Sequence, residues 1–177
     1  MHFFSYFLAA GSAVMALAAP MSKASKRQSM QFFGVNESGA QFGEDNFPGE
    51  LGTDYRWPEL STIDTLIDAG MNTFRINILM ERLVPEEMTG DLDPDYFADL
   101  KETVDYITNK SAYALIAPHN FGRYYKEIIT DVEGFGAFWT TVAEPFKDNS
   151  YVVFDTNNEC KCFPREFYHQ RQLEMPN

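Results

Sequence analysis

A chain of 177 residues with 45% hydrophobic and 15% aromatic side chains has the length and apolar content for one domain with a sizeable core, which excludes an intrinsically disordered protein. A formal net charge of −12 repels phosphate backbones and excludes nucleic acid as a partner.

In chain order, residues 1–19 read as a secretory signal peptide. Phe3–Leu8 and Ala13–Ala19 are apolar but too short for a transmembrane helix, and Ala16-Leu17-Ala18 supplies a small-x-small cleavage pattern. The expectation is a secreted, extracellular protein with no membrane association once the signal is removed. Residues 20–30 read as a propeptide or linker, with Lys26-Arg27 as a dibasic processing site. Residues 31–159 carry the folded pattern, and 160–177 form a divergent tail without a strand–helix rhythm.

Within 31–159, four strand-like runs recur: Phe32–Val35, Thr73–Ile78, Tyr113–Ala117 and Tyr151–Asp155. Their starts lie about forty residues apart, the length of a strand with a crossover helix and loops. Helical patterns fill the gaps. Ser61 is placed to cap Thr62–Ala69, with Gly70 as the stop. Asp93-Pro94 opens a helix to about Thr108, with Phe97, Leu100, Val104 and Ile107 on one face. Phe135–Phe146 supplies the third helix, its end limited by Pro145. Alternating strands and helices predict a parallel α/β fold whose right-handed crossovers bring all strand C-termini to one mouth.

The residues just beyond those strand ends carry the chemistry. They are Asn36-Glu37-Ser38 after the first strand, Arg75 and Asn77 within the second, and His119-Asn120 with Phe121-Gly122-Arg123-Tyr124-Tyr125 after the third. Asn158-Glu159 follows the fourth. A carboxylate beside an amide suits proton transfer to a leaving oxygen. An arginine inside a strand needs a partner if buried, and Glu37 or Glu159 is the expected one.

Several segments then carry a resemblance. They are Phe33-Gly34-Val35-Asn36-Glu37-Ser38-Gly39-Ala40, Leu51-Gly52-Thr53-Asp54-Tyr55 and Thr62–Asn72. Pro48-Gly49, Phe74-Arg75, Leu79-Met80-Glu81-Arg82-Leu83-Val84-Pro85, Pro118-His119-Asn120 with Gly122-Arg123-Tyr124-Tyr125, and Phe154-Asp155-Thr156-Asn157-Asn158-Glu159 complete the set. From about Gln31 to Glu159 the chain resembles the family-5 glycoside hydrolases, in their fungal endo-β-1,4-glucanase (cellulase) group. The resemblance implies an α/β fold made of the N-terminal half, about four βα units, of an eight-stranded (β/α) TIM barrel. It also implies β-glucan polysaccharide as partner and hydrolysis with retention, with no cofactor and no metal.

By the same resemblance Glu159 is the general acid/base and Asn158 binds the sugar 2-hydroxyl. Arg75 and His119 line the cleft, and Trp57, Asn120 and Tyr124 are further sugar contacts. A retaining enzyme needs a second carboxylate about 5 Å from the first. In the family it comes from the seventh strand, so no nucleophile is identified in this chain. The expectation is a truncated relative that is inactive alone. The alternatives are a non-catalytic β-glucan-binding fragment and the product of a truncated or mis-spliced gene.

Four strands leave two open edges, which favour self-association. Cys160 and Cys162 are the only cysteines. A bridge across that spacing is strained and only His169 is near for a metal site, so free thiols are expected. Asn36-Glu37-Ser38 and Asn109-Lys110-Ser111 are glycosylation sequons. Asn109 is the expected acceptor, and Asn36, beside the cleft, is expected bare. Ser111 stands where the resembled family ends this helix with glycine.

Overall fold

The computed structural model describes residues 30–160. The signal, the dibasic site and the tail beyond Cys160 lie outside the described residues.

Four parallel strands form one sheet in the order β1 (Gly34–Glu37), β2 (Thr73–Ile78), β3 (Tyr113–Pro118) and β6 (Val152–Phe154). Helices α1 (Leu60–Asp68), α3 (Pro94–Thr108) and α4 (Val132–Ala143) are the crossovers between successive strands. Strand alternation decides what each face holds. Phe74, Ile76 and Ile78 of β2, and Ala114 and Ile116 of β3, point into the helix layer and are fully buried with Ile63, Leu100, Val104, Ile107 and Phe138. Each large side chain buried there is worth about 1.5–3 kcal/mol. Arg75, Asn77 and Leu115 occupy the opposite face, which is the inner side of a barrel. β1 and β6 are the outermost strands of the sheet.

Local chemistry sets the element ends. Gly34 pairs with Thr73 so closely that a Cβ would sit 1.5 Å from the Thr73 carbonyl oxygen. Regular pairing therefore starts at Gly34, two residues later than the hydrophobic run suggests, and leaves Phe32 and Phe33 about half exposed. Ser61 is not the cap of α1. The extended residue is Glu59, so Ser61 falls inside the helix, and Thr62 donates its hydroxyl to the Glu59 carbonyl at 2.7 Å. Gly70 does end that helix, at φ 94°. Asp93 caps α3 through the Tyr96 amide (2.8 Å), with Pro94 at the first helical position. α4 starts at Val132, ahead of Phe135, because Asp131 accepts from the Gly134 amide at 2.9 Å. It ends at Ala143, and the chain tightens to a 3₁₀ turn over Glu144–Phe146 because Pro145 cannot donate.

Three short elements lack a sequence signal. A turn of helix, α2 (Met80–Leu83), follows β2, and a small antiparallel hairpin pairs β4 (Arg123–Tyr124) with β5 (Glu127–Ile128). In α2, Arg82 is only 3% exposed. Its guanidinium donates to the carbonyls of Pro48 (2.8 Å), Ala40 (2.9 Å), Phe42 (2.6 Å) and Gly43 (3.0 Å), and lies 4.4 Å from the centroid of the Tyr55 ring. One side chain thus organises the whole loop after β1. Lysine has too few donors and the wrong geometry for that set. Arg82→Lys is expected to lower stability by about 3 kcal/mol, read as a lower midpoint in urea unfolding.

Candidate functional site

The carboxyl ends of the strands meet around Arg75, whose side chain is 21% exposed. Its Nη2 donates to Asp155 Oδ2 and to Asn158 Oδ1, both at 2.9 Å. Its Nη1 donates to Asn77 Oδ1 (2.5 Å) and Asn36 Oδ1 (3.1 Å). Asn77 passes the network to the Ser38 hydroxyl at 3.1 Å.

The carboxylate partner of Arg75 is therefore Asp155, not Glu37 or Glu159. Register explains the correction. Glu37 pairs with Ile76, which puts it on the helix-facing side, away from the inner face that carries Arg75. There Glu37 Oε1 is buried without a hydrogen bond among the described residues, and desolvation raises its pKa above the usual carboxylate value.

Arg75 also decides which way two amides face. Because Asn158 and Asn36 each accept from it through Oδ1, each turns its Nδ2 donor away from the guanidinium. The main chain fixes Asn158 as well, through its N–H to the Pro118 carbonyl (2.9 Å). Asn157 is held by the Gly122 amide, which donates to its Oδ1 at 2.9 Å. Glu159 follows in a left-handed conformation (φ 39°) with its side chain exposed. A non-glycine residue in that region is strained, as is common where a side chain must be aimed.

His119 sits at the end of β3, half-buried, with its ring edge-on to Phe121 at 4.9 Å. Burial pushes its pKa below the ordinary imidazole value, the Arg75 charge pushes the same way, and Glu159 pulls weakly back. The imidazole is thus held toward its neutral form beside the cation. A cavity of about 290 Å³ opens next to it, bounded by Phe47 and Asp45 on one wall and Phe121, Arg123 and Lys126 on the other. That is near the lower end for a small-molecule site.

Arg75, Asn158 and His119 are thus brought together with Glu159. Asn120, Tyr124 and Trp57 are placed differently. Asn120 borders the cavity, but both ends of its amide are engaged, accepting from Met80 N (3.0 Å) and donating to Glu81 Oε2 (2.6 Å). The Tyr124 hydroxyl donates to the Val84 carbonyl at 2.5 Å. Trp57 packs on Tyr96 with ring centroids 4.9 Å apart.

Sequence reasoning misses Asp155 and Asn36 as partners of Arg75. The signal available is alternation, since both share the inward parity of the arginine. Cys160 is disulfide-bonded, which corrects the expectation of free thiols. Among the described residues no cluster of histidine, cysteine or acidic side chains could hold a metal ion, and no helix is long and apolar enough to cross a membrane.

Comparison with known proteins agrees with the parallel α/β fold. Residues 35–166 match the family model Cellulase (glycosyl hydrolase family 5). Endo-beta-1,4-glucanase A of Emericella nidulans is 53% identical over 148 residues, which cover 84% of this chain and 44% of the relative. Endoglucanase gh5-1 of Neurospora crassa is 49% identical over 129 residues, covering 73% of this chain and 33% of that one. Among solved structures, an endo-beta-1,4-glucanase of Xanthomonas axonopodis pv. citri superposes with a TM-score of 0.71 at 31% identity, covering 81% of this chain and 46% of that structure. XacCel5A in complex with cellopentaose gives a TM-score of 0.68 at 31% identity, covering 72% and 42%. The chain spans from a third to a half of the length of the fungal relatives it matches.

The charges around His119 give a test by NMR titration. Its pKa is expected below the usual imidazole range, to rise in Arg75→Met and to fall further in Glu159→Gln. Because the folded-state value is depressed, the unfolded chain takes up this proton first as pH falls. His119 therefore stabilises fully above about pH 6.5, and that contribution is lost as pH drops through the folded-state value.

Proposed function

The chain belongs to glycosyl hydrolase family 5, and from that premise we propose that residues 30–160 form the proton-donor half of a retaining β-1,4-glucan hydrolysis site. Glu159 is the general acid/base, protonating the leaving glycosidic oxygen and later deprotonating the incoming water. Asn158 donates Nδ2 to the hydroxyl at carbon 2 of the sugar being cleaved, and Arg75 and neutral His119 line the same wall. The observation that carries this reading is the Arg75 network. Arg75 holds the Asn158 amide oxygen while the Pro118 carbonyl holds its main-chain N–H, so its Nδ2 donor is turned from the guanidinium, next to the strained Glu159.

A retaining displacement also needs a nucleophilic carboxylate about 5 Å from the acid. Three of the other described acids near the mouth are otherwise committed. Asp155 is ion-paired with Arg75, Glu81 accepts from Asn120 and the Tyr125 amide, and Glu37 lies on the helix-facing side. On this reading residues 30–160 bind β-glucan without turning it over, and catalysis needs a second carboxylate brought to the open side of the mouth. The N-terminal reading as a secretory signal is part of the same proposal, since an insoluble polymer must be met outside the cell.

Two measurements test this. Purified chain is expected to release no reducing sugar from carboxymethyl-cellulose, and hydrolysis abolished by Glu159→Gln would overturn the half-site reading. Titration with cellotetraose is expected to shift the His119 and Asn158 side-chain resonances saturably. Asp155→Ala, which frees Arg75 to swing, should weaken binding roughly tenfold, the equivalent of one charge-assisted hydrogen bond.

A further inference from the structure

We propose that Asn109 is a site of N-linked glycosylation, carried on the face of the domain opposite the strand mouth. The sequon Asn109-Lys110-Ser111 lies at the turn between α3 and β3. Asn109 is the C-cap residue of α3. It is exposed, and its side-chain amide makes no hydrogen bond among the described residues. Lys110 is pinned by an ion pair to Asp64 (2.7 Å) and lies over the Tyr106 ring at 4.6 Å. The turn is therefore held against α1 while the Asn109 amide projects into solvent.

Ser111 supplies an independent observation. Its φ is 60°, and its N–H closes the turn on the Thr108 carbonyl at 2.9 Å. This is the left-handed position that glycine occupies without penalty at helix ends. Serine is strained there, and its exposed hydroxyl makes no hydrogen bond among the described residues that would offset the strain. What serine does supply is the third residue of the sequon, which glycine cannot.

Position makes the modification compatible with the candidate site. β3 runs from this turn to His119, a span of roughly 20 Å for its length, so a glycan at Asn109 leaves the mouth open. The other sequon contrasts with it. The Asn36 amide oxygen accepts from Arg75 at 3.1 Å inside the mouth, and a glycan on its Nδ2 would stand in the cleft.

The donor is a polyprenyl-diphosphate-linked oligosaccharide. Asn109 Nδ2 forms a bond to carbon 1 of the first sugar, the bond from that carbon to the diphosphate oxygen breaks, and the diphosphate leaves with the electron pair. The amide gives up one proton.

The test is expression of the full 177-residue chain in a yeast secretory host, once with its own N-terminus and once with a host leader placed ahead of it. Intact mass is read before and after peptide:N-glycosidase treatment. The expected result is one glycan step in both forms, present in Asn36→Gln and Ser111→Thr and absent in Asn109→Gln and Ser111→Gly. Ser111→Gly should also raise the melting temperature of the enzymatically deglycosylated protein, since it relieves the backbone while deleting the sequon. An unmodified chain behind the host leader overturns the proposal, as does a step that survives Asn109→Gln. A step seen only behind the host leader overturns it for the natural chain.

Discussion

A guanidinium on the inner face of a parallel sheet is costly unless every donor finds an acceptor, and satisfying Arg75 constrains most of the mouth. Its partners come from three of the four strands or their tips: Asn36 from β1, Asn77 from β2, and Asp155 and Asn158 after β6. These residues meet only if the strands pair in the observed register. A slip of one residue at β2 would turn Arg75 into the helix layer and bring Phe74 or Ile76 to the mouth. The arginine thus couples strand register to site geometry. The coupling extends to orientation, because Asn36 and Asn158 accept from it and so turn their donors away from the guanidinium.

The walls above that mouth hang from one turn of helix. Glu81 and Arg82 are adjacent in α2, and both are nearly inaccessible to water. Their hydrogen bonds run in different directions. Arg82 reaches the carbonyls of the loop after β1, which carries Asp45 and Phe47. Glu81 accepts from Asn120 and from the Tyr125 amide, holding the segment that runs from the end of β3 through the β4–β5 turn. That segment needs an anchor, since Phe121, Tyr125 and Lys126 all take positive φ. Lys126 then closes the span by pairing with Asp45 across the cavity. Two charges buried side by side are tolerated because each is neutralised by hydrogen bonds from a different loop.

Much of the fold is legible in the chain because its signals are local and repeated. Hydrophobic runs with the right spacing mark the strands, and Asp93-Pro94 and Gly70 mark helix ends through chemistry that acts within one turn. What the runs do not carry is where pairing begins. Gly34 starts β1 because a neighbouring strand backbone needs the room, a fact about Thr73 and not about the residues beside it. Ser61 fails as a cap for a related reason, since the backbone bends at Glu59 and the side-chain preference of the next residues does not override it. In the site, Arg75 is evident as a charge needing a partner. Which acid answers it depends on parity along β1 and β6, and parity depends on register, so Asp155 stays hidden behind Glu37 and Glu159. Asn120 and Tyr124 look like substrate contacts in one dimension, yet their polar atoms are engaged by Glu81 and by Val84, residues of the α2 segment about forty positions earlier that give no sign of this in sequence.

The same reasoning bears on why half a mouth would bind without reacting. Glu159 is exposed, and the cation of the mouth, Arg75, already has a carboxylate in Asp155. On the proposed reading, a nucleophilic carboxylate entering from the open side would attack the anomeric carbon. The Arg75 network has no spare carboxylate for that task. It can orient a sugar hydroxyl, because hydrogen-bond donors work singly, but a retaining displacement is a property of two acids at a fixed separation.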